Sequence, residues 1–122
     1  MNRPHGKIHH ILLHGYQLLG IHQESRSVGE RYVVLFYKKN SLGYNRTAFL
    51  ASKKVGNSVE RNRARRLMKE NYRFLRDDIR SGHDLIFIAR KTISGRKAGE
   101  VGKSMINALS RAKLYKKQEA KR

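Results

Sequence analysis

The sequence predicts an α+β fold, a two-layer sandwich of a small mixed sheet with helices, and three stretches carry that prediction. Asp84-Leu85-Ile86-Phe87-Ile88-Ala89 is a continuous apolar run, the mark of a central strand covered on both faces. Arg31-Tyr32-Val33-Val34-Leu35-Phe36-Tyr37 is rich in β-branched and aromatic residues and reads as a second strand. Between them lies a long segment of helical periodicity beginning near Asn57.

The elements follow in order. Residues 1–28 form an atypical N-terminal segment with His5, His9, His10 and His14, and Gly15 and Gly20 interrupt any helix there. A short helix between Ile8 and His22 is the expectation. After the first strand, Lys38 to Asn45 has turn composition, so a hairpin into Arg46 to Ser52 is expected. Lys53 to Gly56 is a loop leading into the long helix. Asn57 caps that helix, and Glu60 three residues later completes a capping-box pair. The helix is expected to run to Ile79 or Arg80, where Ser81-Gly82 ends it. After the apolar strand, a Gly/Lys/Arg-rich loop from Lys91 to Gly99 precedes a last helix, Glu100 to Tyr115. Its Val101, Met105, Ala108, Leu109 and Ala112 recur at helical spacing. Residues 116–122 are a basic tail, and the whole of 1–122 reads as one domain.

Composition narrows the function. Lys and Arg total 28 against 9 Asp and Glu, a formal charge of +19 on 122 residues. Such an excess repels itself in the compact state and attracts polyanions. A hydrophobic content of 39% argues against a wholly disordered basic tail. Cysteine is absent, which excludes disulfides and thiolate zinc sites. No stretch approaches the roughly 20 apolar residues of a membrane span, so a cytoplasmic protein with no membrane partner is expected.

The long helix is two-faced. Ala64, Leu67, Met68, Asn71, Tyr72, Leu75 and Ile79 share one arc; Asn62, Arg65, Arg66, Lys69, Arg73, Arg76 and Arg80 share the other. Arg61 and Arg63 stand in the first turn, where the helix dipole disfavours cations. A charged arc is ordinarily a solvated face. This one lacks the interspersed acids of such a surface until Asp77 and Asp78. Backbone N–H groups and guanidinium forks together suit phosphate oxygens.

Ser52-Lys53-Lys54-Val55-Gly56-Asn57-Ser58-Val59, followed by Arg61-Asn62-Arg63-x-Arg65-Arg66, resembles the signature of the bacterial ribonuclease P protein subunit. The similarity extends from about Arg31 to Tyr115. It implies a left-handed βαβ crossover related to a domain of a ribosomal protein. It also implies a protein cofactor of a ribozyme that removes 5′ leaders from precursor tRNA. The catalytic RNA and precursor tRNA would be its partners. The RNA would carry the catalysis and bind Mg²⁺, leaving the protein no cofactor and no catalytic residue of its own. Lys53, Arg61, Asn62, Arg63, Arg65, Arg66 and Lys69 would meet the catalytic RNA. Arg46, Lys54, Asn57 and Arg73 complete the candidate RNA-binding set. Val34 and Phe36 would border a leader cleft, together with Leu18 and His22, where the family usually carries aromatic residues.

Other chemistries fit the residues less well. Two-metal nuclease action needs converging acids, and Glu60, Glu70, Asp77, Asp78 and Asp84 fall on different expected faces. His5/His9 and His10/His14 have one-turn spacing but no carboxylate or thiolate beside them, so no metal site is expected. Tyr32, Phe36, Phe49 and Phe87 lie on or beside the expected sheet and offer faces for bases or simply fill the core. A ribosomal or general RNA-binding chaperone is the alternative that the charge alone permits.

Overall fold

The computed structural model describes residues 25–116. Its strands are β1 (Arg26–Gly29), β2 (Val33–Lys39), β3 (Arg46–Leu50) and β4 (His83–Ala89); its helices are α1 (Ser58–Leu75) and α2 (Ala98–Arg111). The sheet runs β1-β2-β4-β3, with β3 and β4 parallel and the other pairs antiparallel. The strand with the unbroken apolar run is therefore flanked on both edges, and it is buried at Asp84 to Phe87 and at Ala89.

This order corrects the expected hairpin. β2 and β3 are not neighbours, because β4 lies between them. The turn after β2 instead passes over the start of β4: Asn40 N–H donates to the Gly82 carbonyl at 2.9 Å. Buried Asn45 seals the crossing, giving its amide to the Arg80 carbonyl at 3.1 Å and accepting His83 N–H at 2.8 Å. β3 then pairs in parallel with β4 through the α1 crossover. Strand β1 begins inside the N-terminal segment, where no strand is expected. The first expected strand starts two residues later, at Val33, and extends to Lys39.

Period-2 alternation sends Val33, Leu35, Thr47, Phe49, Leu85 and Phe87 to the helix side of the sheet. Phe49 stacks on Phe87 with centroids 5.8 Å apart, and the Tyr72 ring meets both edge-on at 5.5 and 6.1 Å. Thr47 Oγ1 donates to the Tyr72 hydroxyl at 2.7 Å, satisfying the polar end of a buried ring. Met68, Met105 and Leu109 close the layer, and each such side chain contributes about 1.5–3 kcal/mol by leaving water. Phe49 and Phe87 thus belong to the core and present no face to a base.

The helix ends also differ from expectation. α1 stops at Leu75, a 3-10 turn covers Arg76–Asp78, and Ile79 is extended (φ −99°, ψ 134°). Ile79 keeps helical spacing from Leu75, yet reaches the core from a backbone bridged to Tyr115. Helix α2 runs Ala98–Arg111, so Leu114 and Tyr115 are buried beyond its end.

Candidate nucleic-acid interface

The loop before α1 is held from inside. Val55 is buried, its N–H donates to the Ser52 carbonyl at 3.0 Å, and its carbonyl accepts the Ser94 hydroxyl at 3.0 Å. With that anchor fixed, Lys53 and Lys54 stand exposed on either side of the bend. Asn57 Oδ1 accepts Glu60 N–H at 2.9 Å while Glu60 Oε1 accepts Asn57 N–H at 2.8 Å, so the expected capping box is present. Asn57 therefore spends its carbonyl oxygen on the helix end.

The arginines that follow are oriented by neutral acceptors. Arg61 Nη1 donates to the Gly56 carbonyl at 3.0 Å. Arg63 Nη2 donates to the Arg96 carbonyl at 3.0 Å, across to the loop before α2. Arg65 Nη2 donates to Asn62 Oδ1 one turn back on the exposed face. Arg66 and Lys69 are exposed. Among the described residues, no carboxylate comes within 4.0 Å of Lys53, Lys54, Arg61, Arg63, Arg65, Arg66 or Lys69. Neutral acceptors fix these guanidinium groups without cancelling their charge. Arg73, farther along, lies 3.8 Å from Glu70 and over the Phe74 ring at 5.9 Å.

Arg46 departs from the set. Its Nε and Nη2 donate to the two oxygens of Asp84 at 2.8 and 2.7 Å. The hydrogen bonds it donates to Asp84, more than the charge of that carboxylate, hold the Arg46 guanidinium above its usual pKa. Asp84 is buried and needs a cation, and Arg46 sits at the opposite end of β3 from the Lys53 loop. The pair belongs to the sheet.

The loop after β4 also contributes, beyond the residues expected from the sequence. Ile93 is buried and turns the chain so that the Arg96 carbonyl meets Arg63, while Lys91 and Lys97 stay exposed nearby. The Arg96 guanidinium lies 6.0 Å above the Tyr32 ring and 3.6 Å from Glu100. The Gly/Lys/Arg composition of Lys91 to Gly99 was the available signal.

On the sheet face away from the helices, register aligns Phe36 with Ile86 and Ala48, and Val34 with Ile88 and Leu50. A third rung aligns Lys38 with Asp84 and Arg46. Val34 and Phe36 are half-buried on this apolar floor. Leu18, His22 and the histidines at 5, 9, 10 and 14 lie outside the described residues. Among the described residues, no three His, Asp or Glu side chains converge as for a metal, and no helix is long and apolar enough to cross a membrane.

Comparison with known proteins identifies the family. A sequence model of the family described as Ribonuclease P matches residues 9–113, reaching into the N-terminal segment. The ribonuclease P protein component of Thermoanaerobacter sp. (strain X514) is 38% identical over 100 residues, covering 82% of this chain and 86% of that one. The solved RNase P protein of Staphylococcus aureus superposes with TM-score 0.78 at 27% identity, over 88% of this chain and 97% of that one. The one from Thermotoga maritima gives TM-score 0.71 at 28% identity, over 77% and 89%. The general RNA-chaperone alternative therefore gives way. The chain belongs to the ribonuclease P protein family, the protein component of the endoribonuclease that matures tRNA 5′ ends, and its partner is the RNase P RNA.

Proposed function

We propose that the belt from Lys53 to Lys69 is the face that meets the catalytic RNA, and that the apolar sheet face bordered by Val34 and Phe36 holds the 5′ leader of precursor tRNA. The observation that carries this reading is a dense cationic surface in which Arg61, Arg63 and Arg65 are positioned by carbonyl and amide oxygens, with no carboxylate within 4.0 Å of them among the described residues. Pre-positioned forks lose less freedom on meeting phosphates and release counterions as they do so. The chemistry of the protein is then neutralisation and positioning: two polyanions approach, and the scissile phosphate meets Mg²⁺ bound by the RNA. Leu18 and His22 would extend the cleft. The setting is the cytoplasm.

Reconstitution with RNase P RNA tests this. Processing of precursor tRNA at low Mg²⁺ should fall at least tenfold in the variant Arg61→Gln/Arg65→Gln/Arg66→Gln and recover at high Mg²⁺. An unchanged affinity for the RNA, with an unchanged salt dependence, would remove the belt from the interface.

A further inference from the structure

At the other end of the sheet, a cavity of about 560 Å³ is lined by the cations Arg26, Lys39, Arg80 and Lys113; Lys38 also borders it, on the rung with Asp84. Tyr37 and Leu114 supply an apolar wall, and His83 also lines it. Arg26 pairs with Tyr37, and Lys39 with His83, so the cavity lies where β2 ends and β4 begins. The belt instead follows the C-terminal end of β3, whose last residue Leu50 pairs with Ile88. The belt occupies α1 from its N-terminal end to Lys69, whereas the cavity lies beyond the helix's C-terminal end, at Arg80. Among the described residues, the cavity lining contains no carboxylate. The nearby buried acid, Asp84, is already taken by Arg46 and by the Asn40 amide at 3.0 Å.

Lys113 marks this cavity as more than a helix end with favourable cations. Leu114 N–H donates to the Leu109 carbonyl at 2.8 Å and Lys113 N–H to the Ser110 carbonyl at 3.0 Å. That is the Schellman pattern, in which the residue at position 113 takes a left-handed conformation and is usually glycine. Lys113 adopts it, with φ +63°. A lysine here is strained where glycine would not be, and its side chain lines the cavity. Conformational cost accepted at one residue, with a cation delivered to a concave basic site, points to a bound anion.

We propose that this cavity takes a nucleotide unit, its phosphate among Lys39, Arg80 and Lys113 and its base against the Tyr37 wall. The volume suits one nucleotide. The source is either a single-stranded RNA segment or a free nucleoside phosphate, and the chemistry is common to both. The inference rests on the nucleic-acid reading above, but on residues that the belt does not use.

The test uses the full-length ¹⁵N-labelled chain in the Arg61→Gln/Arg65→Gln/Arg66→Gln background, titrated separately with 5′-phosphorylated tetrauridylate and with ATP. Amide shifts at Tyr37, Lys39, His83 and Leu114 are expected. Shifts with the oligonucleotide alone assign the cavity to an RNA strand; shifts with ATP as well assign it to nucleoside phosphates in general; none with either overturns the proposal. Lys113→Gly should leave Tm unchanged or raised and weaken binding about three- to tenfold. Lys39→Gln, on an exposed side chain, should weaken it comparably. Full affinity in both variants overturns the proposal even if the belt proves correct. A failure of the belt reading shows instead as unchanged RNase P RNA affinity in the triple variant.

Discussion

The Glu60 carboxylate occupies the space where a side chain at Gly56 would begin, because Oε1 is drawn back to the Asn57 N–H. Gly56 also has φ +149°, a conformation that side chains resist. One glycine therefore permits both the bend that exposes Lys53 and Lys54 and the cap that starts α1. Gly56→Ala should cost about 1–3 kcal/mol, and Asn57→Ala about 1 kcal/mol. Urea denaturation would check both. A neutral Gly56→Ala would mean that the cap does not depend on that close approach.

Position along the belt sets how its variants divide between folding and binding. Arg66 is exposed and has no hydrogen-bond or ion-pair partner among the described residues, so Arg66→Gln should reduce the salt slope of RNA binding by roughly 0.7–0.9 per phosphate contact, with stability unchanged. Arg63 bonds the Arg96 carbonyl, so Arg63→Gln should lower affinity and also cost about 1 kcal/mol of stability. Filter binding across a salt series, paired with thermal melts, separates the two effects. Equal melting losses in both variants would contradict the assignment.

Tyr72 gives the fold a pH dependence at the alkaline end. Burial pushes its hydroxyl up to about 12, only partly opposed by the bond with Thr47. An unfolded tyrosine releases its proton near pH 10. Between about 10 and 12 the folded chain keeps a proton that the unfolded chain has lost, so stability falls as pH rises. The contribution is complete below pH 10, and its loss amounts to about 2–3 kcal/mol by pH 12. Tyr72→Phe should lose that slope, at a cost of about 1 kcal/mol at neutral pH from the unpartnered Thr47 hydroxyl. Parallel alkaline denaturation of the two proteins measures the difference; identical slopes would exclude Tyr72 as its source.

What could be read from the sequence was whatever local physics decides. The Asn57–Glu60 box spans only four residues, and the β4 run announces burial on both faces by itself. The strand order was hidden because alternation specifies a face and not a neighbour; β2 and β3, though joined by a short turn, are held apart by β4. Ile79 misled because helical spacing and an extended return to the core place the same residue inward. Arg46 misled because its partner Asp84 lies 38 positions away. The Arg63–Arg96 link was invisible for another reason: its acceptor is a backbone carbonyl, which no residue type encodes.

Gly102 and Asn71 show how closely the two helices approach. The Asn71 amide donates to the Leu67 carbonyl at 3.0 Å and to the Ala98 carbonyl at 3.0 Å, stitching the middle of α1 to the first turn of α2. A Cβ at Gly102 would overlap the Asn71 oxygen. On an open helix, Gly→Ala stabilises by about 1 kcal/mol. Here the buried alanine must displace an amide with two bonds, so Gly102→Ala should destabilise by about 1–2 kcal/mol. Asn71→Ala alone should also destabilise, by losing the stitch. With Asn71→Ala already present, the added methyl gains room, and Gly102→Ala should become neutral or favourable. A double-mutant cycle by urea denaturation reads that change of sign directly; additive costs would show that the two residues do not constrain each other.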